Sequence, residues 1–363
     1  MKSPFRVDVS PDWEGLMRSI VRDGVPERVH FIELFLDPEV RDTVCDRYGL
    51  AAPLAKDDPY YALRKEIAVQ SFLGYDYVRC SVEGLEFPVH YATTDDTAGD
   101  MAHAAGRNFI DEHKGPITTW EEFEHYPWPD VNDGSTRALE FYEKHLPDNM
   151  CVVGSGGFAH FAEYLTWLIG YETLCVSLCT NRDLVEAIAR RIETFFTAFL
   201  ERLLAFDRVK IIWGSDDMGY RGGTLISPED TREFMLRGHT IMAEMSHAAG
   251  RPYILHSCGN LEAVMDDLID VVKIDGKHSF EDTIEDVRVI KNTYGRKIAL
   301  LGGIDVDFLC RADEQQVRDR VRDTLDKCMP GGGYCLGTGN SVANYIPLEN
   351  YLAMLDEGRK YGA

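Results

Sequence analysis

Hydrophobic residues fall along this chain in two kinds of block. The first is a short run of aliphatic, aromatic and β-branched residues bounded by Gly, Pro, Asn or Asp, which reads as a buried strand. Such runs cover residues 29–34, 74–80, 151–154, 209–213, 253–256, 271–274, 298–301 and 334–336. The second kind recurs at three- and four-residue steps and reads as an amphipathic helix. It is clearest in Leu184, Val185, Ile188, Ile192, Phe195, Phe196, Phe199 and Leu203, which Asn181 precedes as a cap.

Helical blocks separate the strands. Residues 41–72 read as helical with a loop at 56–59, and Ser227-Pro228 opens a helix that closes near Gly250. Further helices span about 261–269, 283–294, 314–328 and 347–361. From Ser81 to Asp133 the pattern weakens into an excursion marked by Trp120, Pro127, Trp128 and Pro129. Eight strands alternating with helices describe an α/β protein of the (β/α)8 TIM-barrel kind, one domain over 1–363 with an N-terminal helical elaboration. The alternative, an open doubly wound sheet, calls for a glycine-rich phosphate loop after the first strand, and none stands there. Gly156-Gly157 and Gly331-Gly332-Gly333 read as tight turns, because neither has the context of a nucleotide loop.

Composition narrows the function. At 363 residues the chain suits a single α/β barrel. Its net charge of −23, from 61 acidic and 38 basic residues, disfavours nucleic acid and anionic membrane surfaces as partners. The first residues lack an apolar signal core, and no run approaches the ~20 apolar residues of a membrane span, so a cytoplasmic location is expected. Nine scattered cysteines, an odd number, do not make a disulfide framework and are expected as free thiols.

In a barrel the residues just after the strands converge on one mouth. Here they include Glu33, Asp76, Glu163, Ser215-Asp216-Asp217, His256, Cys258, His278, Asp305 and Cys335. His256 and Cys258 are two apart at a strand end, so both side chains aim the same way. An imidazole with thiolates suits zinc, and three protein ligands with a fourth position open describe a catalytic centre. Glu163 lies in an apolar helical stretch where a carboxylate needs a partner, either a metal or an arginine, unless it faces solvent. Asp216 and Asp217 compete for the fourth position, or one of them caps the next turn. His278 is either a proton shuttle at the mouth or a plain loop residue. Asn340 and Tyr345 are candidates for substrate contact.

His256-Ser257-Cys258 followed by Cys335 resembles the H-x-C…C zinc motif in the methyltransferase branch of the uroporphyrinogen decarboxylase superfamily. The resemblance spans most of the chain and is strongest after Trp213. It implies a distorted barrel with His256, Cys258 and Cys335 as zinc ligands, and transfer of a methyl group between a corrinoid (cobalamin) on a partner protein and a thiol or other small molecule. Some relatives use tetrahydrofolate or methoxylated aromatics, so the donor, the acceptor and the direction stay open, as does monomer or homodimer. The decarboxylase branch is the alternative, a lyase acting on a tetrapyrrole or another carboxylate. That branch holds substrate carboxylates with an arginine-rich N-terminal segment, whereas residues 31–37 carry no basic residue. Its Asn-Leu-Gly-His-Gly sequence is here Cys335-Leu336-Gly337-Thr338-Gly339. Asp76 is the candidate match for the acid with which decarboxylases hold pyrrole nitrogens.

Overall fold

The computed structural model describes residues 3–96, 101 and 107–361. Seven strands form one curled, wholly parallel sheet in which each strand lies beside the next in sequence. They are β1 (Tyr77–Cys80), β2 (Cys151–Gly154), β3 (Val209–Ser215), β4 (Tyr253–His256), β5 (Gly276–His278), β6 (Ala299–Leu301) and β7 (Tyr334–Cys335). Helices fill the connections, as parallel neighbours require. Helices Trp13–Ile20, Pro38–Tyr48 and Tyr61–Leu73 precede β1 and form the N-terminal elaboration. The architecture is a distorted (β/α)8 barrel.

The distortion lies at the strand expected over 29–34. Only Phe31 pairs there, as a parallel bridge to Leu336. The Ile32 N–H donates to the Leu336 carbonyl at 2.9 Å, and the Leu336 N–H to the His30 carbonyl at 2.9 Å. On the other flank a side chain stands in for a ladder. The Tyr77 hydroxyl accepts from the Glu33 N–H at 2.9 Å and donates to the Glu33 carbonyl at 3.1 Å. One phenol thus satisfies both backbone groups that an eighth strand would have paired.

A second difference lies at 271–274. The chain there is helical through Leu268–Val272, Lys273 is left-handed at φ 64°, and the strand begins only at Gly276. Leu268, Ile269 and Val272 are buried while Val271 faces solvent, which is helical spacing in a short stretch that Asp270 and Lys273 interrupt. The long helix Arg182–Leu204 buries every apolar position that its periodicity marked. The excursion after β1 contains an antiparallel hairpin, Tyr91–Thr94 against Arg107–Ile110. No helix among the described residues is long and apolar enough to cross a membrane.

Candidate metal centre

β3, β4 and β5 end side by side, with Ser215, His256 and His278 in register. Beyond β4 the chain turns at Gly259, whose φ of +83° and close approach to the Gly219 backbone leave no room for a Cβ. That turn fixes Cys258 over the strand ends. Cys258 Sγ lies 3.4 Å from His256 Nε2, and His256 Nε2 lies 3.5 Å from Asp217 Oδ1. All three donor atoms fall within 4.8 Å of one another. A tetrahedral metal with bonds of about 2.0–2.3 Å would space its ligand atoms by roughly 3.3–3.6 Å.

A second ring of contacts orients these groups. His256 Nδ1 and His278 Nδ1 are 2.7 Å apart. His278 is fully buried, and burial, followed by the charge of His256, holds its pKa well below the usual histidine range. It is therefore neutral and accepts at Nδ1, with its own proton on Nε2, a buried atom near the Thr338 carbonyl but without a hydrogen-bond partner among the described residues. His256 then donates from Nδ1, and its Nε2, facing Cys258 and Asp217, is the atom on which a metal would replace a proton. The Asn340 amide donates to Cys258 Sγ at 3.2 Å, and the Ser279 hydroxyl donates to it at 3.6 Å.

Charge in the cluster is unbalanced in the way a cation would correct. Burial pushes Asp217 upward, but the imidazole of His256 and the Cys258 N–H outweigh it and hold the carboxyl at about 2. Burial, then the charge of Asp217, pushes the Cys258 thiol up to about 12. Carboxylate, imidazole and thiol on one point make a donor set that fits zinc.

The structure separates the two adjacent aspartates. Asp216 is fully buried and accepts the N–H groups of Ala162 at 2.8 Å and Glu163 at 3.0 Å, with His239 Nε2 at 2.9 Å. It anchors the start of helix Phe161–Ile169. Glu163, on that helix, pairs with His160 Nδ1 and lies outside the three-donor cluster, though the charge of Asp217 reaches it.

Two expected site residues lie elsewhere. Cys335 is fully buried in β7, and the charges that act on its thiol are those of Asp76, Arg28 and Lys291. It stops short of the loop that carries Asn340 to Cys258, so the third donor in the cluster is Asp217. Asp76 precedes β1 and sits at the amino end of the sheet, away from the mouth. There it is fully buried among the Asp12 N–H at 2.7 Å, Arg28 Nη2 at 2.5 Å and His30 Nδ1 at 2.7 Å, a tie for the N-terminal segment.

A cavity of about 640 Å³ opens beside Ser215 and His160, reaching across β1 to Glu33, Tyr77 and Arg79. Glu33 is 1% exposed, and burial raises its pKa to about 8. The contacts agree with a protonated acid. Thr338 Oγ1 lies 2.5 Å from Glu33 Oε2 and 2.8 Å from the Asn340 carbonyl, and its one proton serves only one of them. Glu33–OH donating to Thr338, and Thr338 to Asn340, satisfies all three. Between pH 4.5 and about 8 the folded chain keeps a proton that the unfolded chain has lost, so stability falls as pH rises through that window. Glu33→Gln should match the parent at pH 5 and exceed it at pH 8 in chemical-denaturation midpoint. An unchanged difference between the two pH values would show that Glu33 is ionised.

A parallel α/β barrel with a three-donor centre at the carboxyl-end mouth is thus defined by geometry. The chain belongs to the uroporphyrinogen decarboxylase (URO-D) family, whose model matches residues 112–361. Among solved structures it is similar to a methyltransferase from Methanosarcina mazei, with 17% identity over 96% of this chain and 98% of that one and a TM-score of 0.69. A B12-independent methionine synthase from Shewanella sp. W3-18-1 aligns over 99% of this chain and 98% of that one, with 12% identity and a TM-score of 0.46. No curated protein matches the chain in sequence.

Proposed function

We propose that this protein is a zinc-dependent methyltransferase that moves a methyl group between a corrinoid on a partner protein and a thiol or other small molecule. The observation that carries this reading is the Asp217–His256–Cys258 cluster, three donor atoms within 4.8 Å of one another on the mouth. Zinc held there would supply a Lewis acid that lowers the pKa of a bound thiol or strengthens the leaving group of a methyl donor. His278 sets the tautomer of His256, and Asn340 and Ser279 share the charge of the Cys258 sulfur. The His160–Glu163 pair can hold a proton beside the cluster, and Glu163 is the candidate for an additional ligand. The likeness in fold to the Methanosarcina mazei methyltransferase supports the same reading. The lyase alternative loses support at residues 31–37, which carry no basic residue to hold substrate carboxylates.

The test pairs metal analysis with an exchange assay. Protein carrying one zinc per chain should demethylate methylcobalamin with a thiol acceptor, or methylate reduced cobalamin from a methyl donor, and chelation should abolish the reaction. Zinc-free protein that decarboxylates a porphyrinogen at full rate would sink the proposal.

A further inference from the structure

Arg79 lies in the middle of β1, paired in register with Val153. Its guanidinium stacks over Trp213, 5.2 Å from the ring centre, and its Nε donates to Ser155 Oγ at 2.7 Å. Those two contacts fix the plane of the fork. The two terminal nitrogens meet no protein acceptor among the described residues, and no carboxylate forms an ion pair with the group. The acid whose charge reaches it is Glu66, which Arg41 already holds at 2.9 Å and Gln70 at 2.7 Å. Burial pushes the guanidinium down to about 10, a sign of a cation without compensation.

This is unusual within the chain. Carboxylates outnumber cations here, and of the arginines also drawn into the fold Arg318 holds three and Arg237 two. A desolvated cation with no partner is unfavourable unless something outside the chain completes it. Arg79 lines the 640 Å³ cavity, whose walls also include the apolar side chains of Leu34, Leu36, Leu63 and Ala138. The cavity also reaches Ser215, the register neighbour of His256, and His160, the partner of Glu163.

We propose that Arg79 anchors the carboxylate of the small substrate, so that the substrate is a carboxylate on a compact apolar body. The paired terminal N–H groups match the two oxygens of a carboxylate, a fit that an ammonium does not offer. The apolar body fills the cavity, and its opposite end is turned toward Asp217, His256 and Cys258. Glu66 and Glu83 on the same walls disfavour a dianion such as a phosphate monoester. The placement of the reacting end rests on the methyl-transfer reading, while the carboxylate grip does not.

Calorimetry on the zinc-loaded protein tests it with benzoate and benzamide, two probes of one shape that differ in charge. The parent should bind benzoate at least tenfold more tightly than benzamide. Arg79→Gln should bind the two alike with its zinc content unchanged, and Arg79→Lys should keep part of the preference. Equal binding of the probes by the parent, binding of neither, or a preference that survives in Arg79→Gln would overturn the proposal. The parent comparison decides the matter even if a variant does not fold. A chain that prefers benzoate but moves no methyl group would keep the anchor and lose the proposed activity, and the opposite result would do the reverse.

Discussion

Dialysed Cys258→Ala and Asp217→Ala should each retain less than a tenth of the parent's zinc, while Cys335→Ser should retain all of it. The ordering follows from where the donors sit. Cys258 and Asp217 each supply one atom to a cluster that closes on His256 Nε2 at 3.4 and 3.5 Å, so loss of either leaves two protein ligands. Even groups that only orient a ligand are worth 10- to 100-fold in metal affinity, and removing a ligand itself costs at least that. Cys335 is not among the three clustered donors; it is fully buried in β7, in register with Leu301. His278→Ala should lie between, with zinc bound more weakly because His256 loses the partner that fixes its ring. Metal analysis by mass spectrometry after equal dialysis reads all four. Zinc lost from Cys335→Ser and kept by Asp217→Ala would restore the two-thiolate set that the sequence motif suggests.

The barrel was legible because its evidence is repetitive. Six runs of apolar residues lie on six of the seven strands, and the run at 29–34 lies on the bridge that replaces the eighth. The run at 271–274 misled because Val271-Val272-Lys273-Ile274 is too short to carry a period, and only burial shows that Val271 points outward. His256 and Cys258 were legible because two residues apart on a strand is a geometric statement. Cys335 was misplaced for a related reason. It is a strand residue, whereas the chain that reaches the centre is the loop after β7, with Thr338 on Glu33 and Asn340 on Cys258. Asp216 and Asp217 were left competing for the fourth ligand position, since nothing in Ser215-Asp216-Asp217 tells which acid turns inward to the helix and which joins His256 and Cys258. Arg79 was missed altogether. Its signal was present, a charged residue in Tyr77-Val78-Arg79-Cys80, but a partner elsewhere in the chain would have explained it equally well, and only the contacts show that there is none.

The pair Asp216 and Asp217 gives the second large effect, on stability rather than metal. Asp216→Ala should destabilise the fold by about 3–5 kcal/mol, the range for removing one partner of a buried charged pair. Three donors lose their acceptor at once, the N–H groups of Ala162 and Glu163 at the start of helix Phe161–Ile169 and the ring of His239. None can turn to water, because Asp216 and His239 are both fully buried. The carboxylate also faces the positive end of that helix, so its loss removes a favourable charge interaction as well. Asp216→Asn keeps one acceptor oxygen but sets an NH2 group against a donor, and should fall between. Asp217→Ala takes away a half-buried side chain whose protein contacts are to His256 and the Cys258 N–H, and its effect on the zinc-free protein should stay within about 1 kcal/mol. Denaturation midpoints of the zinc-free proteins, measured side by side, separate the roles. Equal midpoints for Asp216→Ala and Asp217→Ala would mean that the neighbouring acids share one function, contrary to the contacts that divide them.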